Sequence, residues 1–203
     1  FFSDDGSTSV DVAIKLALQY WQNIGQERHT IVALDEAYHG DTFGNMSLGA
    51  RGTFNEAFDD KLFAVAHIPV PYDNSLEKAI EKLKVIHSKN PIAAFVFEPL
   101  IQGSAGMRIY PSENLEKLLN VLNELGALKI ADEVMTGFGR TGKNFAMEWV
   151  DTFADIACLS KGITGGVLPL GLTLCNKQIY DSFEDLNHIF YHGHSYTGNP
   201  LVC

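Results

Sequence analysis

The sequence predicts an α/β fold in which a mainly parallel β-sheet is covered by helices on both faces. Apolar segments of strand length alternate along the chain with amphipathic segments of helix length, which is typical of successive βα units. Ile92–Phe97 is apolar throughout, as expected of a strand that is buried on both faces. Ligands of such sheets bind at the carboxyl ends of the strands, so we examine the residues that follow each predicted strand for a functional site.

The first part of the chain predicts three helices and two strands. Ser7–Asn23 has apolar residues at helical spacing around most of its circumference, which predicts a largely buried helix. Thr30–Leu34 predicts a strand, and the glycine-punctuated segment 38–52 predicts a loop with a short helix. Phe63–Ile68 predicts the next strand, and residues 75–88 have one apolar and one charged face, as in a surface helix that covers a sheet.

After Ile92–Phe97 the same alternation continues to the end of the chain. Ser112 is suited to cap a helix with a leucine stripe, and Gly126 is suited to end it. The remaining predicted elements are strands Leu128–Ala131, Asp155–Leu159 and Leu170–Leu174, and a helix over Lys177–Phe183. No repeat or linker composition interrupts the pattern, so we predict one domain over residues 1–203.

Composition favours a protein that acts on small molecules. The 203 residues include 25 acidic and 15 basic side chains, a net charge of −10, which argues against nucleic acid or an anionic membrane as a partner. No apolar run is long enough to span a bilayer, and the chain is predicted to be soluble and cytoplasmic. Its three cysteines form no C-x-x-C pair, so they predict buried free thiols rather than disulfides or a metal site.

Both ends of the chain are interpreted as internal to a longer protein. Phe1-Phe2-Ser3-Asp4 is typical of the end of a strand, and the chain stops at Pro200–Cys203, where a helix is expected to begin. We therefore expect the sequence to be a fragment.

Residues 130–144, IADEVMTGFGRTGKN, match two phosphate-binding patterns at once. Gly137, Gly139 and Gly142 fit G-x-G-x-x-G, and Gly137–Lys143 fits most of the G-x-x-x-x-G-K loop. The second pattern requires Ser or Thr after the lysine, but residue 144 is Asn, and the first requires a glycine directly after a strand. We therefore interpret these glycines as residues that shape a loop.

An acid and a lysine follow neighbouring predicted strands. Asp132 ends a buried strand, where a carboxylate requires a cation or hydrogen-bond donors as partners. Lys161 follows the next strand and precedes glycine. A structural ion pair and a solvated lysine are the alternatives, but together the two residues suit a lysine that forms a Schiff base and an acid that keeps a heterocyclic nitrogen protonated.

Two further segments suit a phosphate-bearing planar ligand. Gly6 and Ser7 begin the first helix, where backbone N–H groups and the helix dipole favour an anion, although an ordinary helix cap would have the same composition. Tyr38 follows strand Thr30–Leu34, where an aromatic ring can belong to the core or stack on a planar group.

Taken together, these residues resemble the class III (subgroup II) aminotransferases, pyridoxal-phosphate enzymes of fold type I. The resemblance covers almost the whole chain, and the combination of IADEV, GFGRTG and SKG is its most specific part. The segments that carry it are, in order, FFSDDGSTSVDVAIKLALQYW, EAYHGDTFG, FEPLIQGSAGM, IADEVMTGFGRTGK, CLSKGITGG and HGHSYTGNP. It implies that the chain is the large, cofactor-binding domain of such an enzyme, without its N-terminal segment and its C-terminal small domain.

The resemblance implies pyridoxal 5'-phosphate as cofactor and assigns roles to individual residues. Lys161 would bind the cofactor covalently and transfer the substrate proton, and Asp132 would pair with the pyridine nitrogen. The implied cofactor-binding residues are Gly6, Ser7, Tyr38, Asp132, Val134, Lys161 and Ser195. Ser195 would reach the phosphate in a neighbouring subunit, which implies a homodimer with shared active sites.

For the substrates, the resemblance implies Tyr38, Asp41, Arg140 and Gly193. The guanidinium group of Arg140 suits a substrate carboxylate, and Asp41 suits a cation on the amino donor. Met135 replaces the glutamine of amino-acid-specific relatives and thus disfavours the ornithine and 4-aminobutyrate branches.

Several segments most resemble the branch of the family that serves biotin synthesis. These are ALQYW, FAME, LSKGITGGVLPL and HGHSYTGNPL. The implied reaction is amination of 7-keto-8-aminopelargonate to 7,8-diaminopelargonate, with S-adenosylmethionine as the donor or, as in some members, lysine. An ω-amino-acid or diamine aminotransferase, and an inactive fragment that binds phosphate ligands or only dimerises, are the alternatives.

Overall fold

The computed structural model of the protein describes residues 1–52 and 55–203, and it has the predicted α/β architecture. Its strands are β1 (Phe2–Ser3), β2 (Thr30–Leu34), β3 (Ala66–Ile68), β4 (Ile92–Phe97), β5 (Ile101–Gln102), β6 (Arg108–Ile109), β7 (Leu128–Asp132), β8 (Ile156–Leu159) and β9 (Gly171–Cys175). Its α-helices are α1 (Gly6–Asn23), α2 (Phe43–Leu48), α3 (Leu76–Lys89), α4 (Ser112–Leu125) and α5 (Lys177–Asp181).

Seven of the strands form one sheet in the order β1-β9-β8-β7-β4-β2-β3, and β5 and β6 form a separate antiparallel pair. β8, β7, β4, β2 and β3 pair in parallel, whereas β9 is antiparallel to both β8 and β1. Because two reversals cancel, β1 has the same direction as β8. Six of the seven strands therefore end at the same edge of the sheet.

Helices cover both faces of the sheet, so the prediction of a mainly parallel, two-sided sheet is confirmed. Ala94 and Val96 of β4 pack in a core with α1, while the alternate residues Phe95 and Phe97 pack in a second core with α3 and α4. This alternation follows from the period of two along a strand. It explains why Ile92–Phe97 is apolar at every position.

Helix α1 begins with a reciprocal cap between Asp5 and Thr8. The Asp5 side chain accepts a hydrogen bond from the Thr8 backbone N–H at 2.9 Å, and the Asp5 N–H donates to Thr8 Oγ1 at 3.1 Å. This reciprocal cap starts the helix at Gly6. At the far end of the helix, Trp21 Nε1 donates to the Ala93 carbonyl oxygen at 2.9 Å and ties α1 to β4.

Two details of the predicted elements were wrong. Pro111, rather than Ser112, occupies the N-cap position of α4, because the fixed φ of proline suits the entry to a helix and Ser112 is already helical. The third strand begins at Ala66 rather than Phe63, since the Phe63 N–H donates to Ser47 Oγ instead of a sheet partner. Gly126 does end α4, in the left-handed conformation with φ 62°.

The cysteines differ in exposure. Cys158 is buried, Cys175 is partly buried and Cys203 is exposed, so the prediction of buried thiols is right only for Cys158. Cys203 directly follows the turn at Leu201 and Val202, and no packed element covers it among the described residues. Within residues 1–52 and 55–203, we find no helix that combines the length and apolarity needed to cross a membrane.

Candidate active site

A cavity of about 410 Å³ lies at the edge where the parallel strands end. It receives residues that follow β1, β2, β4, β7 and β8, as the sheet geometry leads one to expect. Six of the ten residues that the sequence singled out line it: Gly6, Ser7, Tyr38, Asp132, Val134 and Lys161. Its volume is within the usual range for a small-molecule site.

Asp132 is buried at the end of β7 and has two partners. Its Oδ2 lies 2.7 Å from His39 Nδ1, and its Oδ1 accepts a hydrogen bond from the Val134 N–H at 3.1 Å. His39 is itself buried, which alone would lower its pKa, but the hydrogen bond and charge of Asp132, together with the charge of Glu98, raise the pKa of His39 above its ordinary value. The cation that burial of Asp132 required is thus partly supplied from within the chain.

Sequence reasoning missed His39. Its neighbour Tyr38 was selected for its aromatic ring, whereas a single histidine after a strand gives no signal by itself. The sequence signal was only its place in the segment after β2, and its closeness to Asp132 depends on the strand order of the folded sheet.

Lys161 follows β8 and has an unusual backbone conformation. Its φ is 44°, in the left-handed region that non-glycine residues seldom adopt. The preceding residue is fixed, because the buried Ser160 Oγ donates to the Leu170 carbonyl oxygen at 2.7 Å. Lys161 and Asp132 both line the cavity, at the ends of the paired strands β8 and β7.

The start of α1 forms one end of the cavity. The Ser7 hydroxyl lies against Gly40, where a Cβ atom would be only 2.0 Å from Ser7 Oγ, and Gly40 has a φ of 133°. This close approach requires glycine at position 40. Asp5 caps the helix and contributes to the lining, so an anion bound here would share the helix terminus with a fixed carboxylate.

Val134 and Tyr38 supply apolar surface to the cavity. The Val134 side chain packs on Gly6, because a Cβ at position 6 would lie 2.6 Å from Val134 Cγ1. Tyr38 is 40% exposed, and its hydroxyl donates a hydrogen bond to Asp41 Oδ2 at 3.1 Å. Burial of the ring and the contact with Asp41 both raise the pKa of the Tyr38 phenol.

Glu98 is a second residue that sequence reasoning did not select. It follows β4, lines the cavity and is 6% exposed. Glu98 Oε1 accepts the Gly103 N–H at 3.0 Å, while Oε2 has no hydrogen-bond partner among the described residues. Burial is the main reason why the pKa of this carboxyl is raised.

Asp41 and Arg140 lie beside the cavity rather than in it. Asp41 lines an adjacent cavity that shares Tyr38 with the first. Arg140 lines another, mostly apolar cavity that shares Met107 and Met135 with the first. Both residues therefore line cavities that adjoin the first one.

Gly193 and Ser195 do not line this cavity. They lie in the exposed segment after Phe190, whose His194 Nε2 is 3.2 Å from Asp4 Oδ2. Neither residue therefore contributes to the cavity of its own chain. Their predicted role in the site of a neighbouring subunit stays a prediction.

The glycine-rich segment is a loop, in agreement with our rejection of both phosphate patterns. Turns follow Asp132, and the next helical element is a single 3₁₀ turn, Ala146–Trp149, rather than a long helix. The buried Glu133 carboxylate anchors the loop, as it accepts hydrogen bonds from Thr136 Oγ1 and from the Ala146 and Met147 N–H groups.

The cavity fits pyridoxal 5'-phosphate, the cofactor that the resemblance implies. The Ser7 hydroxyl and the first turn of α1 suit a phosphate, the Asp132 carboxylate suits a protonated ring nitrogen, and the Lys161 amine suits an aldehyde. The glycine at position 40 lets the Ser7 hydroxyl lie against the backbone there, and a side chain at position 40 would displace that hydroxyl.

Comparisons with known proteins agree with this geometry. The family model for class III aminotransferases matches residues 1–203. Adenosylmethionine-8-amino-7-oxononanoate aminotransferase of Synechococcus elongatus is 50% identical over 213 residues, which cover 100% of this chain and 50% of that protein. The enzyme of the same name from Staphylococcus aureus is 42% identical over 222 residues, covering 100% of this chain and 49% of its own length.

Solved structures show the same fold. The adenosylmethionine-8-amino-7-oxononanoate aminotransferase of Methanocaldococcus jannaschii is 40% identical with a TM-score of 0.92, and the match covers 100% of this chain and 48% of that one. A PLP-bound amine transaminase from an uncultivated Pseudomonas species is 33% identical with a TM-score of 0.92, with 100% of this chain and 49% of the other covered. This chain spans about half the length of the curated relatives it matches. The chain belongs to the class III aminotransferase family.

Proposed function

We propose that the chain is the cofactor-binding part of a pyridoxal-phosphate-dependent aminotransferase that aminates 7-keto-8-aminopelargonate to 7,8-diaminopelargonate in biotin synthesis. The observation that carries the proposal is the meeting of Asp132 and Lys161 in one cavity at neighbouring strand ends. The substrate follows from the relatives, whose names specify adenosylmethionine and 8-amino-7-oxononanoate, a synonym of the keto acid.

The cofactor, when bound, supplies an electron sink that stabilises negative charge at the substrate α-carbon. The Lys161 amine is the base that removes the proton from that carbon and the acid that later returns one. The Asp132 carboxylate, fixed by His39 and the Val134 N–H, holds a proton on the ring nitrogen. Each of these groups is held by backbone at a strand end, which keeps the geometry fixed through both half-reactions.

The other residues bind and orient. The N–H groups of the first turn of α1 and the Ser7 hydroxyl bind the phosphate, and Tyr38 and Val134 enclose the ring. Arg140 binds the carboxylate of the keto acid, since its guanidinium group forms no ion pair with any described residue. Asp41 contributes negative charge for the cationic amino donor, S-adenosylmethionine or lysine.

We further propose a homodimer in the cytoplasm. Ser195 and Gly193 lie on an exposed segment away from their own cavity, which suits residues that complete the site of a neighbouring subunit. All three cysteines are free and the proposed substrates are small metabolites, which favours a reducing compartment.

The experiment is a donor and acceptor screen on the full-length protein. We expect conversion to the pyridoxamine form with S-adenosylmethionine or lysine, followed by amination of 7-keto-8-aminopelargonate. Lys161→Ala should abolish both steps. Full turnover and cofactor colour in that variant would contradict the proposal.

A second candidate is an ω-amino-acid or diamine aminotransferase. It is favoured by the 33% identity and the TM-score of 0.92 with an (S)-enantioselective omega-transaminase from Thermomicrobium roseum. Relative rates separate the two candidates, because this second activity requires faster amination of simple aldehydes than of the keto acid.

A further inference from the structure

The turn that contains Lys161 requires support from its surroundings. Lys161 has a φ of 44°, and non-glycine residues keep such a conformation only where neighbouring contacts enforce it. On the amino-terminal side, Ser160 is held by its hydrogen bond to Leu170, and the Ile163 N–H closes the turn on the Ser160 carbonyl oxygen at 3.2 Å. The carboxyl-terminal side needs a second support.

That support is a phenylalanine from the loop after β7. The side chain of Phe138 packs directly on Gly162, so that a Cβ added at position 162 would lie 2.7 Å from both Cβ and Cδ2 of Phe138. Among the glycines of the described residues, only Gly162 is placed so that an added Cβ would lie within 3 Å of an aromatic side chain. Gly162 has no positive φ, so it is the space, rather than backbone conformation, that requires glycine there.

Phe138 is itself fixed in an uncommon conformation. Its φ is 60°, and its ring meets that of Phe145 edge-on with 5.5 Å between centroids. The preceding Gly137 lies so close to the Glu133 carbonyl oxygen that a Cβ would approach it to 2.9 Å. The Gly139 N–H donates to the Asn144 carbonyl oxygen at 3.1 Å and closes the loop behind Phe138.

The base of the loop is anchored by Glu133, which is 1% exposed. Its Oε2 accepts hydrogen bonds from Thr136 Oγ1 at 2.5 Å and from the Ala146 N–H at 3.0 Å, and its Oε1 accepts the Met147 N–H at 2.8 Å. Both ends of the loop are thereby attached to one carboxylate that directly follows Asp132. Glu133, which follows Asp132 at the end of β7, thus holds the loop that carries Phe138. Phe138 in turn packs on Gly162, the residue after Lys161.

We propose that Phe138 is a positioning residue for Lys161: by packing on Gly162, it holds the turn that places the lysine in the cavity. The proposal rests on Lys161 being the reactive lysine of the proposed function. It assigns a role to the glycine-rich loop beyond that of carrying Arg140.

The test compares Gly162→Ala, Phe138→Gly and the double variant in the full-length protein. Two properties are measured: the dissociation constant for pyridoxal 5'-phosphate, and, in cofactor-free protein, the rate at which acetic anhydride labels Lys161 relative to the exposed Lys177. Gly52→Ala is the matched control, since an added Cβ there meets no atom of the described residues within 4 Å.

We expect each single variant to weaken cofactor binding by about tenfold or more and to change the relative labelling of Lys161, with Lys177 unaffected. The double variant should be no weaker than Phe138→Gly alone, because removal of the ring makes room for the new methyl group. Phe138→Leu keeps Cβ and most of the packing, so it should lose less cofactor affinity. It replaces Phe138→Gly in the test if that variant does not fold.

Three results would overturn the proposal. The first is unchanged cofactor affinity and labelling in Phe138→Gly. The second is a loss of cofactor affinity in the double variant equal to the product of the two single losses. The third is a loss of affinity in Gly52→Ala as large as that in Gly162→Ala. If the wild-type protein itself fails to bind pyridoxal 5'-phosphate through Lys161, the proposed function fails instead, so the two failures are distinguishable.

Discussion

The imidazole of His39 and the carboxylate of Asp132 form a buried pair, with Nδ1 and Oδ2 2.7 Å apart. The pair joins the end of β2 to the end of β7 across the intervening β4. It orients the carboxylate that we propose for the ring nitrogen, and it gives Asp132 a partner even without a ligand.

Replacement of His39 by Gln should destabilise the protein in a pH-dependent way. The folded-state pKa of His39 is raised, chiefly by Asp132 against the effect of burial, so the pair's contribution is complete below the unfolded pKa of about 6.5 and is lost as pH rises through the folded value. We expect the free energy of unfolding of His39→Gln to be about 3 kcal/mol below that of the wild type near pH 6, and the difference to shrink toward pH 9. Urea unfolding at each pH measures it.

The control for that prediction is His29→Gln, because His29 is exposed. Its effect should stay within about 0.5 kcal/mol at every pH. A His39→Gln effect that is constant from pH 6 to 9, or that grows with pH, would contradict the assignment.

Glu98→Gln should also gain stability relative to the wild type as pH rises, but over a more acidic range than His39→Gln. Burial raises the pKa of the Glu98 carboxyl, so the wild-type protein loses stability relative to the variant as pH rises through that pKa. The glutamine oxygen can still accept the Gly103 N–H. We expect a relative gain of about 1 kcal/mol for the variant between pH 4.5 and pH 8, measured by urea unfolding, whereas the exposed Glu124→Gln should show none.

Gly40→Ala should impair the phosphate end of the cavity. The added Cβ would lie 2.0 Å from Ser7 Oγ and would displace the hydroxyl, so we expect the dissociation constant of pyridoxal 5'-phosphate to rise more than tenfold. Gly25→Ala is the control, because Gly25 also has a positive φ but an added Cβ there meets no atom within 4 Å in residues 1–52 and 55–203. It should cost about 1 kcal/mol of stability without changing cofactor affinity. Equal affinities in the two variants would rule out this role of Ser7.

The three thiols should react in the order of their exposure. Burial, with a smaller effect of the Asp132 charge, raises the pKa of Cys158 well above its ordinary value, while Cys203 is exposed. In the native protein, Ellman's reagent should therefore label Cys203 quickly and Cys158 only after unfolding. Rapid labelling of Cys158 at neutral pH would show that the core beneath Asp132 is open.

Much of the fold followed from local patterns. Thr30–Leu34 and Ile92–Phe97 were predicted with the observed bounds because each is a short run of β-branched and apolar residues. Asp132 and Lys161 could be selected because Asp132 ends β7 and Lys161 comes shortly after β8, and both carry charges that a strand end must accommodate. The direction of β9, by contrast, depends on pairing with β1 and β8, which no local pattern encodes.

The parts of the site that escaped prediction depend on contacts between distant segments. His39 contacts Asp132, which is 93 positions away in the sequence. The buried Glu98 Oε2 has no hydrogen-bond partner among the described residues, which only the folded structure shows. Phe138 was absent from the candidates for the same reason, since its contact with Gly162 is made by the folded loop. Sequence patterns thus located the strand ends, and the packing between those ends determined their partners.

The most direct test of the account is to find where pyridoxal 5'-phosphate attaches. The protein is incubated with the cofactor, reduced with borohydride and digested, and the peptides are identified by mass spectrometry. We expect one cofactor per chain, on the peptide that contains Lys161, and no specific attachment in Lys161→Ala. Label distributed over the exposed lysines, or unchanged labelling in that variant, would contradict it.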